Sequence, residues 1–167
     1  MKIRPIRICG DVAYVTLTQG YTAIIDAADV PLVEGYNWYV KHSGYTVYAH
    51  RNDYSGTKPR TVIMHRTILG DPEELEVDHR DGEGINNRRS NLRAATRAQN
   101  QQNTRISSAN TSGFKGVSLH GVSGKWRVRI SLNGNSTDLG LFGSPEEAHA
   151  AYCRASEKYH GEFGRTE

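Results

Sequence analysis

The chain has 167 residues and a mean hydropathy of −0.63, enough length for one ordinary domain or two small ones. Its apolar runs last only a few residues, and its start, Met1-Lys2-Ile3-Arg4-Pro5, lacks the apolar core of a signal peptide. That pattern excludes a spanning helix and leads us to expect a cytoplasmic protein.

The formal net charge of +3 is unevenly spread. Between Asp78 and Arg129 stand Arg80, Arg88, Arg89, Arg93, Arg97, Arg105, Lys115, Lys125, Arg127 and Arg129, opposed only by Asp78, Asp81 and Glu83. A phosphate backbone is the natural partner of such a field; a solvated basic surface is the plainer alternative.

In chain order, residues 1 to about 60 read as β-rich. Val12–Leu17 and Tyr21–Asp26 are β-branched and aromatic runs separated by Gln19-Gly20, and Asp29–Glu34 suits one turn of helix. Asn37–Val40 and Tyr45–His50 form a hairpin pattern around Ser43-Gly44. Seven of the nine tyrosines sit in this first third, where packing a small sheet is their expected use, and Trp38 is expected in the core. Lys58-Pro59-Arg60 marks a loop. Thr61–Arg66 then resumes as a strand or helix start, and Leu75-Glu76-Val77 is a brief strand leading into Asp78-His79.

Asp81-Gly82-Glu83-Gly84 is a turn. Ser90 or Asn91 has the chemistry of an N-cap, and the composition from Leu92 to about Asn103 predicts a helix. Residues 106–112 read as a polar linker between a first module over 1–105, with its centre at about 61–105, and a second over 113–165. In the second, Gly116–Leu119, Lys125–Ile130 and Ser136–Gly140 are strand-like. Period two along the middle run sets Lys125, Arg127 and Arg129 on one face and Trp126, Val128 and Ile130 on the other. Ser144-Pro145-Glu146-Glu147 is a helix start with a capping box, followed by an apolar stripe of Ala148, Ala151, Tyr152, Ala155 and Tyr159 that should close over the sheet. A sheet covered on one side and cationic on the other suits a DNA groove.

Chemistry concentrates between Val77 and Asn103: an acid beside an imidazole, a Gly-rich turn, then amides and arginines. Adjacent residues of a regular strand face opposite ways, so Asp78 and His79 share a site only if the strand bends or ends there. Asp78 is then a ligand for a hard cation, and His79 a neutral base able to take a proton from water. A carboxylate and an amide oxygen form a sparse oxygen set suited to Mg²⁺ or Mn²⁺. On spacing alone, an isolated Asp-His pair is more often a surface hydrogen bond than a catalytic site. Cys9 and Cys153 form no CxxC pair, which argues against structural zinc and a disulfide framework; both are expected as small buried side chains. His42, His50, His120, His149 and His160 show no metal-ligand spacing.

The residues Met64-His65-Arg66, Asp78-His79, Asn86–Arg93 and Thr96–Asn100 resemble the HNH homing endonucleases of phages and mobile introns. The resemblance implies a ββα-metal nuclease in which His79 is the general base and Asp78 and Asn100 hold the metal. Asn91 would be the central asparagine that braces the loop and helps to orient the histidine. His65 matches a recurrent upstream histidine, in a structural or phosphate-binding role. Arg88, Arg89, Arg93 and Arg97 would hold the phosphates flanking the cut.

Residues 112–166 resemble an AP2 DNA-binding domain through Gly113–Val117, Lys125–Val128, Leu139–Phe142, Glu146–Tyr152 and His160–Phe163, with His149 and Cys153 departing from that pattern. This implies a three-stranded antiparallel sheet, packed on one helix, that docks on double-stranded DNA through Lys115, Lys125, Arg127 and Arg129. The expected fold class is therefore α+β: a small β-rich region, an HNH module and an AP2-like module. The expected activity is metal-dependent nicking of one strand by a monomer. The rivals are a DNA-binding regulator without catalysis, and a binder of RNA or protein.

Overall fold

A computed structural model describes residues 2–132 and 134–166; Met1 and Asn133, which fall within the expected modules, lie outside it. The chain divides into two compact units, Met1–Ala95 and Thr96–Glu167, a division N-terminal to the expected 106–112 linker. The fold is mixed α+β, built from small antiparallel sheets and short helices.

The first unit begins with a strand that the sequence reading leaves out. Gly10, at φ 61°, turns the two-residue connection between β1 (Ile6–Cys9) and β2 (Val12–Thr16). β2 pairs in turn with β3 (Thr22–Asp26), and alternation buries Ala13 and Val15 from one strand and Ala23 and Ile25 from the other. Cys9 ends β1, the outer strand of this sheet, and is exposed; Cys153 is half-buried, so the expectation of two buried cysteines is corrected.

After a 3₁₀ turn and α1 (Val30–Val33), a second three-stranded sheet forms from β4 (Tyr39–Ser43), β5 (Thr46–Asp53) and β6 (Arg60–Ile63), followed at once by α2 (Met64–Ile68). Trp38 is buried, and its indole N–H donates to the Val33 carbonyl at 2.9 Å.

A two-stranded ladder of β7 (Glu76–His79) and β8 (Leu92–Ala95) completes the unit. β8 corrects the expected helix from Leu92. Its residues pair antiparallel with β7, so that Leu92 and Ala95 are buried and Arg93 stands opposite Asp78. The first helical residue is Arg97. One core runs from Ala13 through Trp38, Ala49 and Met64 to Val77 and Leu92. The N-terminal sheet therefore shares its hydrophobic centre with the strands that carry Asp78 and His79.

In the second unit, α3 (Arg97–Gln102) opens on a capping box at Thr96 rather than at Ser90 or Asn91. The Thr96 side chain accepts from the Gln99 N–H at 3.3 Å, and the Thr96 N–H donates to Gln99 Oε1 at 2.8 Å. β9 (Val117–His120), β10 (Lys125–Leu132) and β11 (Asn135–Phe142) form an antiparallel sheet with β10 central. α4 (Pro145–His160) packs on it, capped by Ser144, which accepts from the Glu147 N–H. Its buried face holds Ala148, Tyr152, Ala155, Ser156 and His160, while Tyr159 points outward, correcting the last member of the expected stripe. The imidazole Nε2 of His160 instead donates to the Ser131 carbonyl at 2.7 Å. Gly116 (φ 72°) must be glycine, because a Cβ there would stand 2.4 Å from the Tyr152 ring.

Candidate active site

β7 ends at His79, and the loop from residue 80 to 91 is fixed on several sides. Asn91 closes its neck: Nδ2 donates to Asp81 Oδ1 and to the Asn86 carbonyl, and Oδ1 accepts from the Asp81 N–H. Asp81 also accepts from the Asn86 amide at 2.7 Å and the Glu83 N–H at 2.8 Å. Gly84 lies flat against β5, its N–H donating to Thr46 Oγ1 at 2.9 Å; a Cβ there would meet the Tyr48 ring at 2.5 Å.

The far side of the loop is stitched to β3. Ile24 N–H donates to the Ile85 carbonyl at 2.8 Å, and Asn87 N–H donates to the Ile24 carbonyl at 2.7 Å. Arg88 then pairs with Asp26 (2.9 Å) and Asp11 (3.2 Å), while Arg89 makes a forked contact with the buried Asp29 at 2.8–3.0 Å.

Within this frame the rings of His65 and His79 meet edge to face at 5.1 Å. The Tyr48 ring lies 5.5 Å from the first and 5.7 Å from the second. His79 Nε2 lies 3.2 Å from Asn87 Oδ1. The orientation of that amide is set by its other end, where Nδ2 donates to the Ile85 carbonyl. Oδ1 can only accept, so His79 carries its proton on Nε2 and the lone pair on Nδ1. Burial lowers the His79 pKa below its ordinary value, against the opposing pull of Asn87, Asp81 and Asp78. Burial, followed by the neighbouring His79, His50 and Arg66, lowers that of His65 to about 3. Both imidazoles are neutral at neutral pH. His50, outside the expected site, is itself buried with a lowered pKa.

Asp78 and His79 are both buried; they are the last two residues of β7, paired in regular register with Arg93 and Leu92. The Arg93 guanidinium engages Asp78 Oδ2 through Nε and Nη2, each at 2.7 Å. Asn100 lies on α3 in the second unit, one turn after the cap, with its backbone N–H on the Thr96 carbonyl. Among the described residues no group of three or more His, Cys, Asp and Glu side chains is placed to hold a metal ion. A cation drawn to Asp78 would take most of its shell from amide oxygen, water and phosphate, a donor set that fits a hard divalent ion.

The cations of the sequence reading fall into two groups. Arg88, Arg89 and Arg93, there assigned to flanking phosphates, instead have protein carboxylates as partners, and Arg93 is 8% exposed. Lys115 also has partners inside its own unit: its ammonium donates to the carbonyls of Gln102 (2.7 Å) and Thr104 (2.6 Å), just where the last carbonyls of α3 lack helical partners. Arg127 pairs with Asp138 at 3.2 Å. Arg97, Lys125 and Arg129 are exposed, while Val128 and Ile130 on the opposite face of β10 are fully buried. The alternation along β10 is therefore as read from the sequence.

Asn87, Tyr48, Asp26 and Asp29 were not among the sequence-derived site residues. Asn87 follows another Asn in the motif, and only its amide chemistry marks it. The other three lie 30 to 60 residues upstream, where no spacing rule connects them to His79.

The buried acid-imidazole pair thus stands on a short two-stranded ladder with a braced loop between its strands. Residues 70–102 match the family model described as HNH endonuclease. An Acanthamoeba polyphaga mimivirus protein described as an uncharacterized HNH endonuclease is 31% identical over 166 residues, covering 93% of this chain and 81% of its own length. Protein 3.8 of Escherichia phage T7 is 32% identical over 96 residues, 56% of this chain and 77% of that one. No solved structure is matched. The chain belongs to the HNH endonuclease family, and it is a DNA endonuclease.

Proposed function

We propose that this endonuclease nicks one strand of double-stranded DNA at a recognised site, in a homing-type or related viral role, with His79 as general base and Mg²⁺ or Mn²⁺ as its ion. The observation that carries the reading is the His79–Asn87 contact: a buried, neutral imidazole whose Nε2 proton is committed to an amide oxygen. A proton leaving water therefore goes to Nδ1. The water oxygen forms a bond to phosphorus, the bond to the 3′-oxygen breaks, and that oxygen leaves with the electron pair and is protonated from solvent. Asp78 and Asn100 would hold the metal, which when bound supplies neutralisation of the charge on the phosphate and the leaving oxygen. Asn91 keeps the loop closed through Asp81, and His65 packs its ring edge to face on the base without taking a charge at neutral pH. The exposed Lys125 and Arg129, on a sheet backed by α4, support docking of the second unit on DNA in the AP2 manner, joined on the nuclease helix by Arg97.

The test is cleavage of supercoiled plasmid carrying candidate target DNA, with wild type, His79→Ala and Asn100→Ala, each in Mg²⁺ and in EDTA. Open circles from wild type with Mg²⁺ alone are expected. Linear product without a nicked intermediate, under monomeric conditions, would overturn strand-by-strand cutting. Site-specific binding without cleavage under Mg²⁺ or Mn²⁺ would transfer the function to the DNA-binding half.

A further inference from the structure

The N-terminal sheet makes a contact with the loop that the nuclease chemistry does not itself explain. Asp26, the last residue of β3, uses both carboxylate oxygens on the two residues that follow Asn87. Oδ1 accepts from Arg88 Nε at 2.9 Å, and Oδ2 accepts from the Arg89 backbone N–H at 2.8 Å. Two residues earlier on the same strand, Ile24 takes the Asn87 N–H and gives its own N–H to Ile85. Asn87 is thus held by its own backbone bond and by a carboxylate clamp immediately after it, and its side chain ends on His79. Among the described residues the Asn87 side chain has two further hydrogen-bond partners, the Ile85 carbonyl at 3.3 Å and Met64 Sδ at 3.6 Å, so its aim follows where the backbone of residues 85–89 is set. Charge favours the arrangement. Arg88 and Asp26 shift one another toward their ionised forms, and Asp11 adds a second carboxylate to Arg88.

We propose that Asp26 is a positioning residue for the general base. By clamping Arg88 and the Arg89 N–H it sets Asn87, and Asn87 holds the His79 imidazole in the Nε2–H tautomer. The N-terminal β-rich region is then a part of the active site, with Asp26 about fifty residues before His79 in sequence, rather than an appendage to it. A clamp of this kind gains its effect through geometry: an amide displaced by about 1 Å no longer selects between the two imidazole tautomers, and the nitrogen that should accept the proton carries one in part of the molecules. Outer groups that orient a catalytic ligand typically matter by 10–100-fold.

The inference rests on His79 being the base, and it is tested so that the two can fail separately. The first measurement is ¹⁵N NMR of the histidine side chains in metal-free wild type, Asp26→Ala, Asp26→Asn and Asp29→Asn. Wild type should show His79 as the Nε2–H tautomer. Asp26→Ala should show a mixture, and Asp26→Asn, which retains an oxygen for the Arg89 N–H, should lie between them. Asp29→Asn removes the charge that faces the Arg89 side chain and leaves the Arg89 backbone N–H on Asp26, so it should lower the melting temperature and leave the tautomer as in wild type.

The second measurement is single-turnover nicking at saturating and limiting DNA. Asp26→Ala should lower the cleavage rate roughly 10–100-fold with DNA affinity unchanged. An unchanged tautomer and rate in a folded Asp26→Ala, or equal losses in Asp26→Ala and Asp29→Asn, would overturn the proposal. Wild type that never nicks would overturn the nuclease assignment while leaving the tautomer result to stand or fall alone.

Discussion

Gly84 is the position at which a single methyl should report on the whole site. Its chain neighbours read as a flexible turn, but a Cβ at 84 would sit 2.5 and 2.6 Å from two carbons of the Tyr48 ring and 2.6 Å from the Val47 carbonyl oxygen. Carbon atoms in contact want about 3.5–4.0 Å, so Gly84→Ala demands roughly 1 Å of movement. The Val47 carbonyl belongs to β5, held there by pairing of Val47 with His42 of β4, which leaves the loop or the Tyr48 ring to give way. Overpacking of this kind costs about 1–3 kcal/mol, with the backbone contact placing this case toward the upper end. For a unit of this size each 1 kcal/mol lowers the melting temperature by about 4–8 °C.

Either route of relief reaches the chemistry, because the Tyr48 ring packs on both His65 and His79, and the loop carries Asn87. Displacement of about 1 Å at a reacting group can cost 100-fold in rate. Thermal melts and initial nicking rates, beside Gly56→Ala as control, provide the assay; a Cβ at Gly56 meets only the Lys58 carbonyl at an ordinary 3.8 Å. Gly84→Ala melting within 1 °C of wild type and nicking at the wild-type rate would refute the packing argument.

Other outcomes follow from the same contacts. The lowered pKa values of His65 and His50 mean that the unfolded chain, whose histidines titrate near 6.5, binds protons before the folded one does. Stability is therefore full above about pH 6.5 and lost as pH falls toward 3. His65 alone should account for about 2 kcal/mol between pH 7.5 and pH 5, and denaturant midpoints of metal-free protein that rise on acidification would contradict this. Lys115→Met should destabilise the second unit by about 1 kcal/mol, because it removes two hydrogen bonds just after α3 while the Arg165 N–H still reaches the Gln102 carbonyl, and should leave the salt dependence of DNA binding unaltered. Lys125→Ala and Arg129→Ala should do the reverse, each lowering the slope of log affinity against log salt by about one at unchanged melting temperature.

Much of the fold could be read locally. Turn signals and β-branched runs located β2 to β5, period two assigned the faces of β10, and the Ser-Pro-Glu-Glu start located α4, because each depends on residues within one element. The failures share a different cause. Leu92–Ala95 has helix-forming composition, and only pairing with β7, which aligns Arg93 with Asp78 and buries Leu92, makes it a strand. Tyr159 and His160 differ from the expected stripe because the helix ends on a histidine that finds the Ser131 carbonyl, a partner 29 residues away.

The same distance in sequence separates the charge reading from the charge structure. Counted along the chain, the segment from Asp78 to Arg129 looks like a field for phosphates. In three dimensions Asp11, Asp26 and Asp29, outside that window, take up Arg88 and Arg89, and Asp78 within it takes up Arg93. These arginines serve to hold a loop, not merely to decorate a surface. Arg93 is the most confined of them: with the ion pair buried, removing the guanidinium takes from the Asp78 carboxylate the charge it is paired with, a change that costs about 3–5 kcal/mol. Arg93→Ala should thus be selected against for stability in the absence of any DNA, whereas Arg97→Ala, on an exposed position of α3, should cost only binding. Melting and filter-binding of the two variants side by side separate a cation that builds the site from one that serves it. If Arg93→Ala melts like wild type and loses affinity alone, the assignment of this cluster to scaffolding is wrong.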